Sequence, residues 1–454
     1  MTKKIFITVS EGMIARNILR SFVLQNLLEN PKVEVGLLVS SVKALFYQRE
    51  FGSPRVKIFV VSPAQSFFNR ILDYFARNGY YSLTILTDQG RRLLADRSYF
   101  RFFWKRLLIY VLGRFRPFHL LVRKLERFRA YSSETKSLFL NEKPDLLFAT
   151  DVYSDLDLEV ISAAKALRLK TVGMVRSWDN LGAGGLMQIL PDLLLVWSPY
   201  LYQYAARFQS VPKEILKIVG IPHFDWYAKK DILLSRQTFL HKFGIAAGKK
   251  VILYAGIGSL TAPHEPEVMG IISKALAAGE IKENPAVLFR PHPAFAIDRQ
   301  KIAALPNIIF DDNVASYTDT KRNSWEMDKE AIVHFVNSLY HADVVIATAS
   351  SIILDAVSFD KPIVGIAFDG YSKEPAWTSL SNVYRNHTHS RDLSRFGGFK
   401  IVYNPKELIH SINEYLENPH KDAGGWEKIR QEFIWKLDGQ SASRVAGALF
   451  KLLA

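Results

Sequence analysis

The 454-residue chain contains no cysteine. That absence removes disulfides, thiolate metal sites and thiol nucleophiles together, and leaves the chain indifferent to redox compartment, so a reducing cytoplasm is the default expectation. No apolar run approaches the roughly 18 residues of a membrane-spanning helix. The first apolar run ends at Val9 and meets Glu11, too early for a signal peptide. Internal repeats, low-complexity tracts, a Walker lysine loop and a Gly-x-Ser-x-Gly elbow are all missing, and the eleven histidines show no metal-ligand spacing. What is present is ordinary globular material, 48% hydrophobic and 23% charged, enough for two or three domains.

The charge is not ordinary. The net charge is +15, and the stretch Arg91–Arg129 holds twelve Lys/Arg against two acids, Asp96 and Glu126, so two thirds of the excess sits there. Aromatic residues interleave with it. The spacing predicts two helices split by Pro117, one lining up Phe100, Phe103, Trp104, Leu107 and Val111 beside Arg101, Lys105 and Arg106. The other lines up Phe118, Leu121, Val122, Leu125 and Phe128 opposite Arg123, Lys124 and Arg127. Basic helices with aromatic boundaries suit an anionic membrane surface, where each Lys or Arg contributes about 1 kcal/mol. The competing expectation is an insertion packed onto the protein body. Nucleic acid is not expected, because no helix-turn-helix, RNA-recognition or zinc-finger pattern accompanies the charge.

Elsewhere short β-branched runs alternate with amphipathic stretches. Strands are expected at 4–9, 33–39, 56–61, 145–149, 171–175, 193–197 and 216–220, and again at 250–255, 286–290, 307–310, 343–347, 362–366 and 399–403. Helices are expected between them, among them 13–29 and 155–167, and a polar stretch from Lys229 to Lys250 interrupts the pattern. The order predicts an α/β fold of two doubly wound Rossmann-like domains facing a cleft: 1–228 with a basic aromatic insertion near 91–131, 229–425, and C-terminal helices 426–454 packing back on the first.

Five segments can carry chemistry. In Asp343–Ser351, a buried strand ends in hydroxyls and a helix starts at once, so Ser350, Ser351 and free N–H groups suit a phosphate, with Asp355 one turn in to meet a polyol. The alternative is a plain helix start. Arg290-Pro291-His292-Pro293 delivers a cation and an imidazole into a stiff loop, fit to neutralise a leaving diphosphate or simply to turn the chain. Arg176-Ser177-Trp178-Asp179-Asn180 follows a strand and precedes a Gly-rich segment. Asp179 suits a general base toward an acceptor hydroxyl, with Arg176, Trp178 and Asn180 around the acceptor, or else an N-cap. Ser10-Glu11-Gly12 ends the first strand, making Glu11 the competing base and Gly12 an acceptor contact. Gly256-Ile257-Gly258-Ser259 lets a donor approach the backbone, with Gly258 and Ser259 touching it. Asp155-Leu156-Asp157 matches an acid pattern of metal-dependent sugar transferases but is read as a helix start, and His387-Thr388-His389 as a solvent-facing loop.

In order and spacing, Val219-Gly220-Ile221-Pro222-His223-Phe224-Asp225, Arg290–Pro293, Ala342 through Asp355, and Asp438-Gly439-Gln440-Ser441-Ala442 with Arg444 resemble the nucleotide-dependent transferases of the GT-B fold. The pattern is most similar to CDP-glycerol glycerophosphotransferase-like and surface-polysaccharide glycosyltransferases. The resemblance implies that the second half binds the nucleotide diphosphate of a UDP- or CDP-linked donor through His292, Ser350 and Ser351, with Asp355 supporting the ribose. It implies that the first half binds a lipid-linked or glycan acceptor, that the last helix crosses back to it, and that neither metal nor cofactor is required. In the glycerophosphotransferases a Trp-His-Gly segment supplies a catalytic histidine, where this chain has Ser177-Trp178-Asp179-Asn180; the change favours a sugar over glycerol phosphate. The expectation is a metal-independent glycosyltransferase, peripheral on the inner face of the cell membrane, with polyol-phosphate transfer and nucleotide-sugar 2-epimerisation as alternatives.

Overall fold

Leucine and β-branched runs form strands here because a parallel sheet covered on both faces buries the side chains of its central strands. The computed structural model describes residues 2–295, 297–317 and 325–453. The chain divides into two units, Met1–Asp225 with Asp438–Ala454, and Trp226–Leu437.

The first unit carries β1 Lys3–Val9, β2 Val33–Val39, β3 Val56–Val60, β4 Leu146–Ala149, β5 Lys170–Met174, β6 Leu193–Val196 and β7 Leu216–Ile218. They form one parallel sheet in the order β3-β2-β1-β4-β5-β6-β7. The strand order reverses between β1 and β4, and such a reversal opens a crevice beyond the carboxyl ends of the strands. The second unit carries β8 Val251–Ala255, β9 Ala286–Arg290, β10 Ile308–Phe310, β11 Ser316–Tyr317, β12 Trp325–Glu326, β13 Val344–Ala347, β14 Ile363–Ile366 and β15 Lys400–Val402. Six of them make a parallel sheet, β10-β9-β8-β13-β14-β15, reversing between β8 and β13; β11 and β12 pair antiparallel. All thirteen expected strands are present, their ends shifted by at most two residues.

The structure corrects several expectations. Helices from Trp426 onward do not all return to the first unit. The helix Ala423–Ile429 and the π-helical Arg430–Ile434 stay in the second unit, where buried Trp426 donates to the Gly398 carbonyl (2.7 Å) and Arg430 to that of Val357 (3.0 Å). Only Asp438 onward crosses back. The joint is specific: both Asp225 oxygens accept from the first N–H groups of the helix Ser441–Leu453, Ser441 at 3.0 Å and Ala442 at 2.8 Å. Gly220 has φ +88°, and a Cβ there would lie 2.4 Å from Ser441 Oγ. The Gly220–Asp225 and Asp438–Ala442 motifs are thus two halves of one structural contact. The helix expected over 13–29 is broken into Gly12–Ile14, a π turn Ala15–Leu19 and Phe22–Leu28, the last capped by Ser21. The polar stretch from Lys229 contains a helix, Arg236–Lys242, anchored by Arg236 on Asp343 (2.6 Å). Thr388 and His389 are buried in the first turn of the helix Thr388–Ser394, and His387 before it is half-buried, so this segment is not a solvent-facing loop. Asp155 and Asp157 do open a helix, with Ser154 as its N-cap.

The basic insertion folds as helices Leu83–Asp96, Tyr99–Leu112 and Arg116–Leu125. Their inner sides close around Tyr80, Ile85, Ile109, Val122 and Leu186. Along Tyr99–Leu112 only Ile109 is buried, and the aligned aromatic face points outward, with Phe100 82%, Phe103 65% and Trp104 48% exposed. The second expected face is split: Val122 packs inward while Leu121 and Phe128 are exposed.

Candidate functional site

In the second unit, the register sets three segments at one level. Ala255 of β8 pairs with Arg290 of β9 and with Ala347 of β13. The Gly256–Ser259 loop, the Arg290–Pro293 turn and the hydroxyls of Thr348, Ser350 and Ser351 therefore leave the sheet together, around its reversal point. Ser351 is exposed and makes no cap bond at the start of the helix Ile352–Ser358, which leaves its hydroxyl toward solvent. His292 accepts from the Ala294 N–H through Nδ1 (3.0 Å) and leans on Phe295. That bond puts the proton of the neutral ring on Nε2, which makes it a donor. Asp355 is buried and accepts from the Tyr227 hydroxyl (2.5 Å).

Two expected donor contacts are corrected. Arg290 is not an open cation: it is buried, bonded to Asp311 (3.0 Å) and stacked on Phe335. Asp311 also meets His334 Nε2 at 2.8 Å. Burial pulls the Arg290 guanidinium down from its ordinary value, and Asp311 partly offsets this. Arg290 thus braces the turn from within and offers no open contact at its surface. Gly258, at φ +84°, gives its N–H to the buried Glu265 carboxylate (3.0 Å), as does Ile257 (2.8 Å). The amides of this loop face inward.

In the first unit, the reversal point collects a polar cluster. Arg176, past the end of β5, donates through Nη1 to Glu11 after β1 (2.9 Å) and to Asp151 after β4 (3.0 Å). Its Nε is buried and has no hydrogen-bond partner among the described residues. Burial raises the Asp151 carboxyl against the pull of Arg176. Asp157 accepts from Thr8 (2.6 Å) and Ser154, and burial together with the Asp151 charge pushes it up to about 8, so it is neutral near pH 7. Asp179 precedes a helix without capping it through its side chain. Its carbonyl starts the short helix Asn180–Ala183, while its carboxylate, partly exposed, accepts from Ser177 Oγ. Trp178 and Asn180 are buried, and Asn180 Oδ1 accepts from the Ser177 N–H (2.7 Å). Gly12 is buried at the start of its helix. Asp151 and Asp157 were not anticipated in this cluster. Thr150-Asp151 ends a strand as Ser10-Glu11 does, but only the neighbouring of β1 and β4 brings the two together.

The Gly-rich segment after Asp179 is held by the insertion. Gln209 is fully buried and bonds the Met187 N–H (2.8 Å) and the Leu181 and Gly185 carbonyls (2.8 and 2.7 Å). Arg123 donates to the carbonyls of Met187 (3.0 Å), Ser210 (3.3 Å) and Gln209. Burial pulls its guanidinium down to about 10. Arg123 is therefore a structural anchor and not a membrane contact. Arg106 likewise turns inward, to the Leu86 carbonyl (3.2 Å) and over Phe102. Arg101 and Lys124 are exposed, and Lys105 is partly so. Among the described residues no group of three His, Asp or Glu side chains is placed to hold a metal, and no helix is long and apolar enough to cross a membrane.

Two Rossmann-like units, each with its polar residues at the reversal of a parallel sheet, and a last helix returning to the first, define the class of GT-B-fold, nucleotide-dependent transferases. Residues 160–451 match the family described as CDP-glycerol:poly(glycerophosphate) glycerophosphotransferase, and the chain belongs to that family. Solved structures agree on the fold. The UDP-GlcNAc 2-epimerase of Neisseria meningitidis, bound to UDP-GlcNAc, is 12% identical with a TM-score of 0.54, covering 99% of this chain and 100% of its own. S. aureus MnaA, solved with UDP, is 12% identical with a TM-score of 0.54, over 100% and 98% of the two chains. The calicheamicin glycosyltransferase CalG4 is 12% identical with a TM-score of 0.51, over 100% and 98%. Among curated protein sequences nothing matches.

Proposed function

We propose that the protein is a glycosyltransferase that moves a sugar from a UDP- or CDP-linked donor to a lipid-linked or cell-envelope polysaccharide acceptor, without a metal ion. The observation that carries the reading is Asp179: a carboxylate stands where the resemblance leads one to expect the histidine of the glycerophosphotransferases. In this mechanism Asp179 removes the acceptor's hydroxyl proton, the acceptor oxygen bonds to the anomeric carbon, and the bond to the diphosphate oxygen breaks. Glu11 is ion-paired with the Arg176 guanidinium, whereas the Asp179 carboxylate accepts from the neutral Ser177 hydroxyl, which favours Asp179 as the base. The His292 Nε2–H and the Ser350 and Ser351 hydroxyls receive the negative charge of the departing diphosphate. Arg290 adds its field from behind.

Family membership favours a second reading, glycerol phosphate transfer from CDP-glycerol. One experiment separates them. The protein is screened by thermal shift with UDP-, CDP-, GDP- and dTDP-linked sugars and with CDP-glycerol, and each stabilising donor is then incubated with and without acceptor glycan. Sugar transfer supports the proposal. Transfer only from CDP-glycerol, or conversion of a nucleotide sugar with no acceptor present, overturns it in favour of the polyol-phosphate or epimerase reading.

The same proposal places the enzyme on the inner face of the cell membrane through the outward aromatic face of Tyr99–Leu112 with Arg101, Lys105 and Lys124. An exposed apolar face this long, bordered by cations, matches an anionic bilayer better than bulk water. Exchanging Phe100 and Trp104 for Ser together with Arg101 and Lys124 for Gln should lower partition onto anionic vesicles by at least about 30-fold, since the two charges alone contribute about 2 kcal/mol. Unchanged co-sedimentation would remove the membrane assignment. Arg123→Gln, by contrast, should weaken folding before it weakens vesicle binding.

A further inference from the structure

The Gly256–Ser259 loop is shaped by a buried carboxylate. Glu265 is 1% exposed, in the first turn of the helix Glu265–Ala277, and accepts from the Ile257 N–H at 2.8 Å and the Gly258 N–H at 3.0 Å. Backbone bonds fix the ends of the loop, Gly256 N–H to the Arg290 carbonyl (2.8 Å) and Ala262 N–H to the Gly258 carbonyl (3.0 Å), and Glu265 holds the two amides between them. Gly258 is in the left-handed region, and a Cβ on Gly256 would lie 2.9 Å from the Phe289 ring and 3.3 Å from Glu265 Oε2. Two inward N–H groups on a strained turn are the arrangement that a phosphate often organises, and here an internal carboxylate does so instead.

We infer that Glu265 is the positioning residue of the donor loop: its two hydrogen bonds pre-form the turn that presents Ser259 beside the Ser350 and Ser351 hydroxyls. The inference rests on the donor-binding role proposed for this unit. It needs the charged carboxylate, because a neutral carboxyl or amide offers a donor toward one of the two N–H groups. Burial pushes Glu265 up to about 7 against those two bonds. Tyr254 is the titratable group facing it from the sheet, and burial keeps that phenol protonated. On its own helix, His264 and Glu267 bond each other, and His264 also bonds Glu374 (2.9 and 2.8 Å).

The test is binding of UDP-glucose and CDP-glycerol by calorimetry at pH 6 and pH 8, for the wild type and Glu265→Gln. Both probes are diphosphate diesters with no ionisation of their own in this window. If only the ionised form presents the loop, the wild-type Kd should be about tenfold weaker at pH 6 than at pH 8, following the competent fraction. Glu265→Gln should bind about tenfold more weakly at pH 8 and lose the gain in affinity from pH 6 to pH 8, leaving only the opposite trend of the His292 imidazole, which gains positive charge as pH falls. It should fold, since burial disfavours the charge it removes: a carboxyl raised in the folded state loses stability as pH rises through about 7. Hydrogen–deuterium exchange at one fixed pH supplies a readout free of ligand, with the Ile257 and Gly258 amides protected in the wild type and exposed in the variant. Equal affinity and an unchanged pH profile in the variant, or equal exchange, would overturn the positioning role alone. A wild type that binds neither probe at either pH would overturn the donor assignment and this inference together.

Discussion

Replacing Asp311 by alanine is expected to destabilise the second unit by about 3–5 kcal/mol, because it leaves the buried Arg290 charge without its counter-ion. Among the described residues Arg290 would keep a long bond to the Val314 carbonyl (3.5 Å), the Phe335 ring and the weaker field of Asp355. Urea unfolding of the variant checks the value, and a loss below about 1 kcal/mol, the range of an exposed pair, would refute the buried pairing. Replacing both partners, Arg290→Met with Asp311→Leu, should recover much of the loss while still damaging donor binding through the missing field. The pH dependence has a definite sign. Burial alone would raise Asp311, but the His334 hydrogen bond and the Arg290 charge outweigh it and hold the carboxyl below its ordinary value. The stability it contributes is therefore complete above the unfolded carboxylate pKa, about 3.9, and is lost as pH falls through the lower folded one. The wild type should keep this contribution through mild acid.

The second large effect concerns turnover. Asp179→Asn preserves the shape of the side chain and the backbone start of Asn180–Ala183 but removes the base, and His292→Ala removes the donor to the leaving diphosphate. Each should lower kcat by about 10²- to 10⁴-fold, the usual contribution of a proton-transfer group. The binding signature should differ: donor Kd unchanged in Asp179→Asn and weakened in His292→Ala. Full activity of either purified variant would remove its residue from the mechanism, and Glu11→Gln would then be the variant to measure as the alternative base.

The strand pattern was legible because parallel strands covered on both faces are short continuous apolar runs, a signal independent of partners. The ends of those strands were legible as candidate sites for the same reason. The aromatic face of Tyr99–Leu112 was likewise legible, since an apolar helix face has the same period whatever lies against it. Periodicity could not say which medium, and it misjudged Arg123, whose three carbonyl partners come from segments more than sixty residues away.

Local spacing alone determined the two α/β units, the hydroxyl-rich strand ends and the concentration of positive charge in the insertion, because each depends on neighbours along the chain. Only the tertiary structure decided how charge is paired. It turned Arg290 inward to Asp311, gave the amides of Ile257 and Gly258 to Glu265, joined Arg176 to Glu11 and Asp151, and made Asp225 the cap of a helix that begins at Ser441. Ionised groups find partners by proximity in space and by the cost of burying them alone, and neither quantity is written in the order of residues.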